Sequence, residues 1–397
     1  SGEPGMGASP WTMLALLALA RSTIGYVYQS IGSAGPAIAA DLAIEFALVG
    51  TLIGIFMLPG IVLSLPSGLL ATRRGDKPLM LVGLALTTVG GLVTALADGF
   101  VVAAIGRLVT GVGFTAASFF FVKATLDWFA AQRGLPLAMA VLLNSWPLGI
   151  GLGLATQGEL TLLFGWRTMV MLAGALPVVA AVMLLVLYRD PPARTAPAGG
   201  ALAALRRLTG REWSSMLLLS VVWSVLNVGL ILVFGFAPAL LHERGVDLAA
   251  AGWLVSVGNW VGIAALAAGG ALVSRIGHAP PVIAVATAAT AVVFWAMAAV
   301  PEALWVHVVF GIVGFAAAGP IMAQPAHLVR DEVRGAAMGV FYTLFYVFMA
   351  VGPAVAGLLR DRYDPAAPLY LGCALMLLSL LCQAILARHR AVRPRLA

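Results

Sequence analysis

Two arginines stand where arginine is expensive. Arg21 lies about ten residues into the first long apolar run and Arg107 about nine into the fourth. An arginine at a bilayer centre costs roughly 2.5–3.5 kcal/mol, so the pair left in lipid would cost on the order of 5–7 kcal/mol. Both must therefore face a wet cavity or a polar partner. Asp41, Glu45, Asp98, Glu159 and Glu302 all fall at the ends of apolar runs, so no carboxylate is expected mid-run to neutralise either arginine. An uncompensated positive field in a low-dielectric cavity attracts an anion. It argues against cationic drugs, whose carriers need a buried carboxylate.

The helical period places Arg21, Gly25, Tyr28, Gln29 and Gly32 on one face, and Arg107, Gly111, Phe114 and Ser118 on another. Arg21 and Arg107 are the candidate anion contacts, with Tyr28 and Gln29 orienting the solute. The competing reading is a guanidinium bonded to backbone carbonyls or anchoring a gate, and for Arg107 the two readings stand level. Asn144, Trp146, Asn227, Asn259 with Trp260, Tyr342 and Tyr346 are softer candidates, since helix–helix hydrogen bonding or packing explains them as well. Tyr342 and Tyr346 share a helix face.

Other chemistries find no constellation. The chain has no phosphate-binding loop, no HExxH and no nucleophile–base–acid set, so neither an enzyme nor an ATP-driven pump is expected. His307 and His327 have no metal-ligand company. Cys373 and Cys382 read as inert buried thiols in the last apolar run. Asp331 and Glu332, beside Arg330 and Arg334, read as a solvated loop cluster. No cofactor, metal or nucleic acid is expected.

The elements that must position these residues are membrane helices. Apolar residues make up 61% of the 397 and charged residues 10%, with a mean hydropathy of +1.02. Water-soluble domains carry about 25% charged residues, so lipid must cover most of this surface. The apolar runs are rich in Gly and Ala, as packed membrane helices are, and lack the alternation of a barrel. Spanning about 30 Å of hydrocarbon takes roughly 20 residues. Spans are expected near 11–38, 46–71, 78–97, 99–123, 134–158 and 166–188, then 213–241, 249–274, 280–299, 302–326, 334–359 and 366–387.

The expected organisation is a tail or cloning remnant at 1–10, a six-helix bundle at 11–188 and a Pro/Ala/Gly/Arg-rich cytoplasmic linker at 189–212. A second six-helix bundle follows at 213–387, then a basic tail at 388–397. The first residues lack the basic region of a cleaved signal, so the first span is expected to be retained. The net charge of +7 sits in short loops and the tail, which suits membrane orientation better than nucleic acid. Lys and Arg gather on one side in Arg73, Arg74, Lys77, Lys123, Arg133, Arg275, Arg330, Arg334 and the tail, which predicts cytoplasmic termini.

The two halves repeat. Gly68–Pro78 (GLLATRRGDKP) and Gly270–Pro280 (GALVSRIGHAP) share Gly, Leu, Arg, Gly and Pro at one constant offset. Arg133-Gly134 with Ala138-Met139 is echoed by Arg334-Gly335 with Ala337-Met338.

These residues resemble the major facilitator superfamily over nearly the whole chain. Gly68, Leu70, Arg73, Gly75 and Lys77 match the family's loop motif G-x-L-a-D-r-x-G-r-k, with Thr72 where the family has Asp. The resemblance implies a gating role for Gly68, Arg73, Gly75 and Lys77, with Asp127 the acidic partner of the loop arginine. The Thr72 departure implies a weaker or differently built interdomain lock. Arg107-Leu-Val-Thr110-Gly111-Val-Gly113 resembles the R-x-x-Q-G-x-G motif, and Pro147, Gly149, Gly151 and Gly153 form a loose antiporter motif. Arg21 upstream of Ser33-Ala-Gly35-Pro36 looks like bacterial cyanate/nitrate-like small-anion permeases. The fold so implied is an all-α membrane protein of twelve transmembrane helices in two pseudo-symmetric six-helix bundles. Helices one, four, seven and ten would line the cavity.

The expected function is secondary or facilitative transport of a small organic or inorganic anion, by alternating access at a midplane site. Its expected partners are that solute, membrane lipid and, if coupled, protons. The resemblance implies a monomer in a bacterial inner membrane. The alternatives are a proton-driven exporter of hydrophobic compounds and a non-transporting receptor.

Overall fold

The computed structural model describes residues 9–63, 76–130, 134–191 and 205–391. Among these residues the secondary structure is helical throughout, with no strand. The first half comprises α1 (Pro10–Ser33), α2 (Gly35–Asp41), α3 (Phe46–Ile55), α4 (Leu58–Leu63), α5 (Lys77–Ala95), α6 (Phe100–Phe129) and α7 (Leu135–Leu187). The second comprises α8 (Gly210–Glu243), α9 (Leu248–Ile276), α10 (Ala279–Ala299), α11 (Leu304–Ala316), α12 (Ala318–Ala323), α13 (Pro325–Leu328), α14 (Asp331–Arg362) and α15 (Ala367–Ala391).

Ten helical stretches among the described residues are long and apolar enough to cross a bilayer. One of them, α7, has 53 residues, about 80 Å at 1.5 Å per residue, far more than one crossing needs. It doubles back at Gly165, whose φ of 80° and ψ of 156° suit only glycine. The helix α1 is long enough but is diluted by Arg21, Ser22, Thr23, Gln29 and Ser30. Counting α7 twice and adding α1 gives the twelve expected crossings. Large apolar side chains such as Val62, Val101, Val186 and Leu381 stand exposed along the outer faces, where only lipid can cover them.

Prolines decide where spans break. A proline lacks the N–H that would bond the carbonyl four residues earlier, and its ring crowds that carbonyl. The helix α3 ends at Ile55, four before Pro59, and α11 ends at Ala316, four before Pro320. Helix ends extend past the expected hydrocarbon limits in places. The helix α6 runs on to Phe129, α8 starts at Gly210 inside the expected linker, and α15 reaches Ala391 inside the expected tail. The capping box of Thr209 and Glu212 sets the α8 start.

Within the first half α1 packs on α7 and α5 on α6; within the second α8 packs on α15 and α14, and α9 on α11. The halves meet through α3 against α14, α7 against α9, and α1 against α8. These meetings concentrate at the end of the molecule remote from the chain termini. There Gly50 lies against Pro353 O, Gly54 against Ala350 O, and Gly357 against Phe46 O, so close that a Cβ would collide with each carbonyl. Asp361 caps the first turn of α3 from across the interface, accepting from Phe46 N at 3.1 Å and Ala47 N at 2.6 Å. The Arg360 guanidinium sits 3.7 Å from the Phe46 ring and pairs with Glu243.

Candidate substrate site

Arg21 is half-buried on α1 and faces the second half of the molecule. Its Nη1 donates to Leu142 O and Leu143 O, both at 3.0 Å. Leu143 O is available because Pro147, four residues on in α7, has no N–H to offer it. The buried Nε makes no hydrogen bond. The Nε–Nη2 edge therefore remains free, the edge on which a carboxylate accepts two parallel N–H bonds. Trp146 lies under the guanidinium at 5.9 Å, and the Tyr342 and Tyr346 hydroxyls of α14 are within its electrostatic reach. No carboxylate among the described residues pairs with it.

Aromatic rings wall this region on both sides. On the first half, Tyr28, Phe56, Phe114 and Trp146 form a continuous cluster with Phe114 and Trp146 centroids 4.7 Å apart and Tyr28 and Trp146 5.3 Å apart. On the second, Trp223 of α8 stacks near Phe341 and Phe345, which continue to Tyr342 and Tyr346. Tyr28 Oη, Ser118 Oγ, Asn144 Oδ1 and Trp223 Nε1 are buried without a hydrogen-bond partner. Buried polar atoms are almost always satisfied in native proteins. Of these, Asn144 directly follows Leu143, whose carbonyl Arg21 holds, and its unpaired oxygen leaves an acceptor for a polar solute or water.

The other expected contacts divide. Arg107 is 1% exposed. It donates to Leu52 O at 3.0 Å, Tyr28 O at 3.3 Å and Val27 O at 3.4 Å. Leu52 O is open to it because Phe56 N, its normal helical donor, turns to Gly54 O at the α3 break. The rings of Phe56 and Tyr28 cover the guanidinium at 4.8 and 5.7 Å. That is the backbone-bonded alternative, and it leaves Arg107 behind the aromatic wall instead of in front of it.

Gln29 and Asn259 serve the interface. Gln29 Nε2 donates to Phe234 O at 2.9 Å, a carbonyl freed by Pro238 in the same way that Pro147 frees Leu143. Asn259 Nδ2 donates to Pro147 O at 2.8 Å. Each bond joins one half to the other. Asn227 bonds Trp223 O one turn back on α8, at 2.8 Å, and keeps to the wall of the region. Gly149 and Gly151 of the loose antiporter motif admit α1 and α9 respectively, meeting Ser22 O and the Asn259 amide.

Of the gating set, Gly68, Arg73 and Gly75 lie outside the described residues, as does Thr72. Lys77 donates to Leu185 O and Tyr188 O, both at 2.8 Å, and so caps the end of α7. Asp127 accepts from Lys123 at 2.9 Å, and Lys123 also pairs with Asp76 at 2.7 Å. Trp223, Phe56, Phe341 and Phe345 were missing from the expected contacts. Aromatic residues are common in membrane helices, and only the fold links these to Trp146 and Tyr346 beside Arg21.

A six-plus-six helical frame with a polar, aromatic-walled region at the junction of its halves defines a membrane carrier. The sequence profile of the Major Facilitator Superfamily matches residues 17–353, and the chain belongs to that family of transporters. An MFS-type efflux pump of Mycolicibacterium smegmatis is 28% identical over 393 residues, 93% of this chain and 89% of that protein. The 4-hydroxybenzoate transporter PcaK of Pseudomonas aeruginosa is 28% identical over 177 residues, 44% of this chain and 39% of that protein. The 3-(3-hydroxy-phenyl)propionate transporter of Escherichia coli is 30% identical over 229 residues, 56% of this chain and 54% of that protein. The chain thus spans less than two thirds of either aromatic-acid carrier. The likeness is to organic-acid carriers and not specifically to cyanate or nitrate permeases.

Two solved structures share the fold. The nucleoside transporter NupG (D323A mutant) superposes with a TM-score of 0.79 at 14% identity, covering 96% of this chain and 100% of that one. A bacterial homologue of the human lysosomal transporter Spinster, inward-facing and occupied, gives 0.74 at 16%, covering 98% of each.

Proposed function

We propose that this transporter carries a small organic carboxylate, with an aromatic ring preferred, by alternating access of its two bundles. The observation that carries this reading is the free Nε–Nη2 edge of Arg21 between two aromatic walls, with no carboxylate among the described residues facing it. The carboxylate takes the place of a neutralising partner, and its ring stacks among Trp146, Tyr342 and Tyr346. Relatives named for hydroxybenzoate, hydroxyphenylpropionate and gallate support the class. Arg107 holds the wall from behind and makes no solute contact.

With both termini cytoplasmic in an inner membrane, the sealed end is periplasmic and the described state opens inward. Binding neutralises the cavity charge and so favours closure over the solute. Opening to the periplasm breaks the bonds of Gln29, Asn259 and Asp361.

The test is uptake of labelled 4-hydroxybenzoate, gallate, benzoate and nitrate into proteoliposomes by the parent and Arg21→Ala. Aromatic carboxylates should be taken up in preference to nitrate, and Arg21→Ala should lose at least tenfold, roughly 1.4 kcal/mol. Undiminished transport by the variant sinks the assignment. The nearly full-length match to an efflux pump favours a second reading, proton-driven export of hydrophobic compounds. Dye efflux stimulated by a pH gradient, with no carboxylate uptake, would select it.

A further inference from the structure

The second half carries two adjoining cavities at its terminus-bearing end that the transport site does not use. One, of about 540 Å3, is polar and lined by Arg211, Glu212, His327, Arg330 and His389. The other, of about 400 Å3, is apolar, with a floor that includes the buried Leu219, Ile321 and Leu386. The same elements wall both. On α8 the lining passes from Glu212 to Leu219, on α12 and α13 from His327 to Ile321, and on α15 from His389 to Leu386. The two linings come within two residues of each other at Gln324 and Ala326 and at Ala387 and His389, so we read them as one cleft, polar where the helices end and apolar toward their middles.

The apolar part opens sideways. Its rim residues Pro281, Ala384 and Ala387 are exposed, on α10 and α15, which pack side by side on the outside of the bundle. The polar part carries excess positive charge. Glu212 is committed to Arg330 at 2.9 Å. Arg211 donates only to the carbonyl of His389 and meets no carboxylate among the described residues. A third small cavity of about 340 Å3 exposes Arg211 again, beside Ser214 and His389. Exposed Arg206 and Arg207 precede it in the chain.

We propose that this cleft binds an anionic phospholipid of the leaflet next to the chain termini, phosphate at Arg211 and His327, one acyl chain along the Leu219–Leu386 groove. A basic pocket between helices at headgroup depth attracts anionic headgroups, and an adjoining dry groove adds the burial of methylenes. A soluble anion has no use for the groove, and a zwitterionic lipid brings no net charge to Arg211. The site lies wholly within the second half. An occupied cleft therefore ties α8, α12, α13 and α15 together without crossing to the first half.

The test is the thermal unfolding of the full chain in neutral detergent, with phosphatidylglycerol, phosphatidylcholine or soluble glycerol phosphate added. Ligands that bind the folded state raise the midpoint by mass action. Phosphatidylglycerol should raise it by several degrees, and the other two should not. Arg211→Ala, which removes the charge, and Ala384→Trp, which fills the rim of the groove from its exposed side, should each lose at least half of that shift. An equal shift with phosphatidylcholine overturns the proposal in favour of a general lipid effect. An equal shift with glycerol phosphate overturns it in favour of a free-anion site. A full shift retained in Ala384→Trp overturns it even where Arg211→Ala fails to fold.

Discussion

At the scale of single residues, the two intramembrane arginines are alike in cost and unlike in their bonding. Arg107 hands its N–H groups to three carbonyls under two rings, whereas Arg21 keeps one edge in reserve. Their lysine variants should separate these uses, since lysine keeps the charge but loses the fork. Arg107→Lys is expected to lower thermal stability, on the order of 2–4 kcal/mol for buried carbonyls left unpaired, with KM unchanged in whatever folds. Arg21→Lys should fold like the parent but raise KM. Circular-dichroism melts beside uptake kinetics measure both, and a KM rise in Arg107→Lys would reverse the roles. Pro147 belongs to the same scale. Pro147→Ala returns to Leu143 O its helical donor, releases Arg21 from one of its two anchors, and should raise KM severalfold with little change in stability. The sequence made both arginines legible through their cost in lipid, but not which one was free. That difference rests on the helix break before Pro59 and on the missing N–H of Pro147, which become partners of Arg107 and Arg21 only when α1, α3, α6 and α7 are packed together.

At the scale of elements, the twelve crossings follow from length and hydropathy, and their ends move where other forces act. Capping by Thr209 and Glu212 starts α8 early, and α6 continues past the expected limit with Lys123 and the buried Asp127 paired across one turn. The repeat of Gly68–Pro78 with Gly270–Pro280 disclosed the two halves, yet it says nothing of the contacts that seal them. Those depend on α3 and α14 lying with glycine against carbonyl, a match between distant segments that no local pattern encodes. A side chain at Gly54 would meet Ala350 O. Gly54→Leu should therefore wedge α3 from α14, abolish most transport, and raise the labelling of a cysteine placed at Ile53, buried at the interface, by a membrane-impermeant reagent added outside. Unchanged labelling would mean that this contact does not hold the end closed.

At the scale of the whole molecule, ion pairs brace the loops at the sealed end. Asp41 is held below the usual carboxylate range, first by its hydrogen bond from Arg167 and then by that from Trp166. A carboxyl depressed in the folded state contributes stability that is present above its unfolded value of about 4 and lost as pH falls through the folded one. Asp41→Asn should thus melt slightly below the parent at neutral pH, with the gap closing in acid below about pH 4. A gap that persists in acid would assign the effect to packing. Transport across a membrane was legible at this scale from the long apolar runs and the scarcity of mid-membrane acids. The aromatic walls were not, because Trp223 and Phe345 come from different helices and become neighbours only in the assembled bundle. One consequence of the seal concerns how such a carrier diversifies. Its closest approaches are made by glycine α-carbons against peptide oxygens, while the solute contacts proposed above are side chains one or two turns away. Lineages of this protein can therefore exchange one cargo for another by changing the walls, and inherit the gate unchanged.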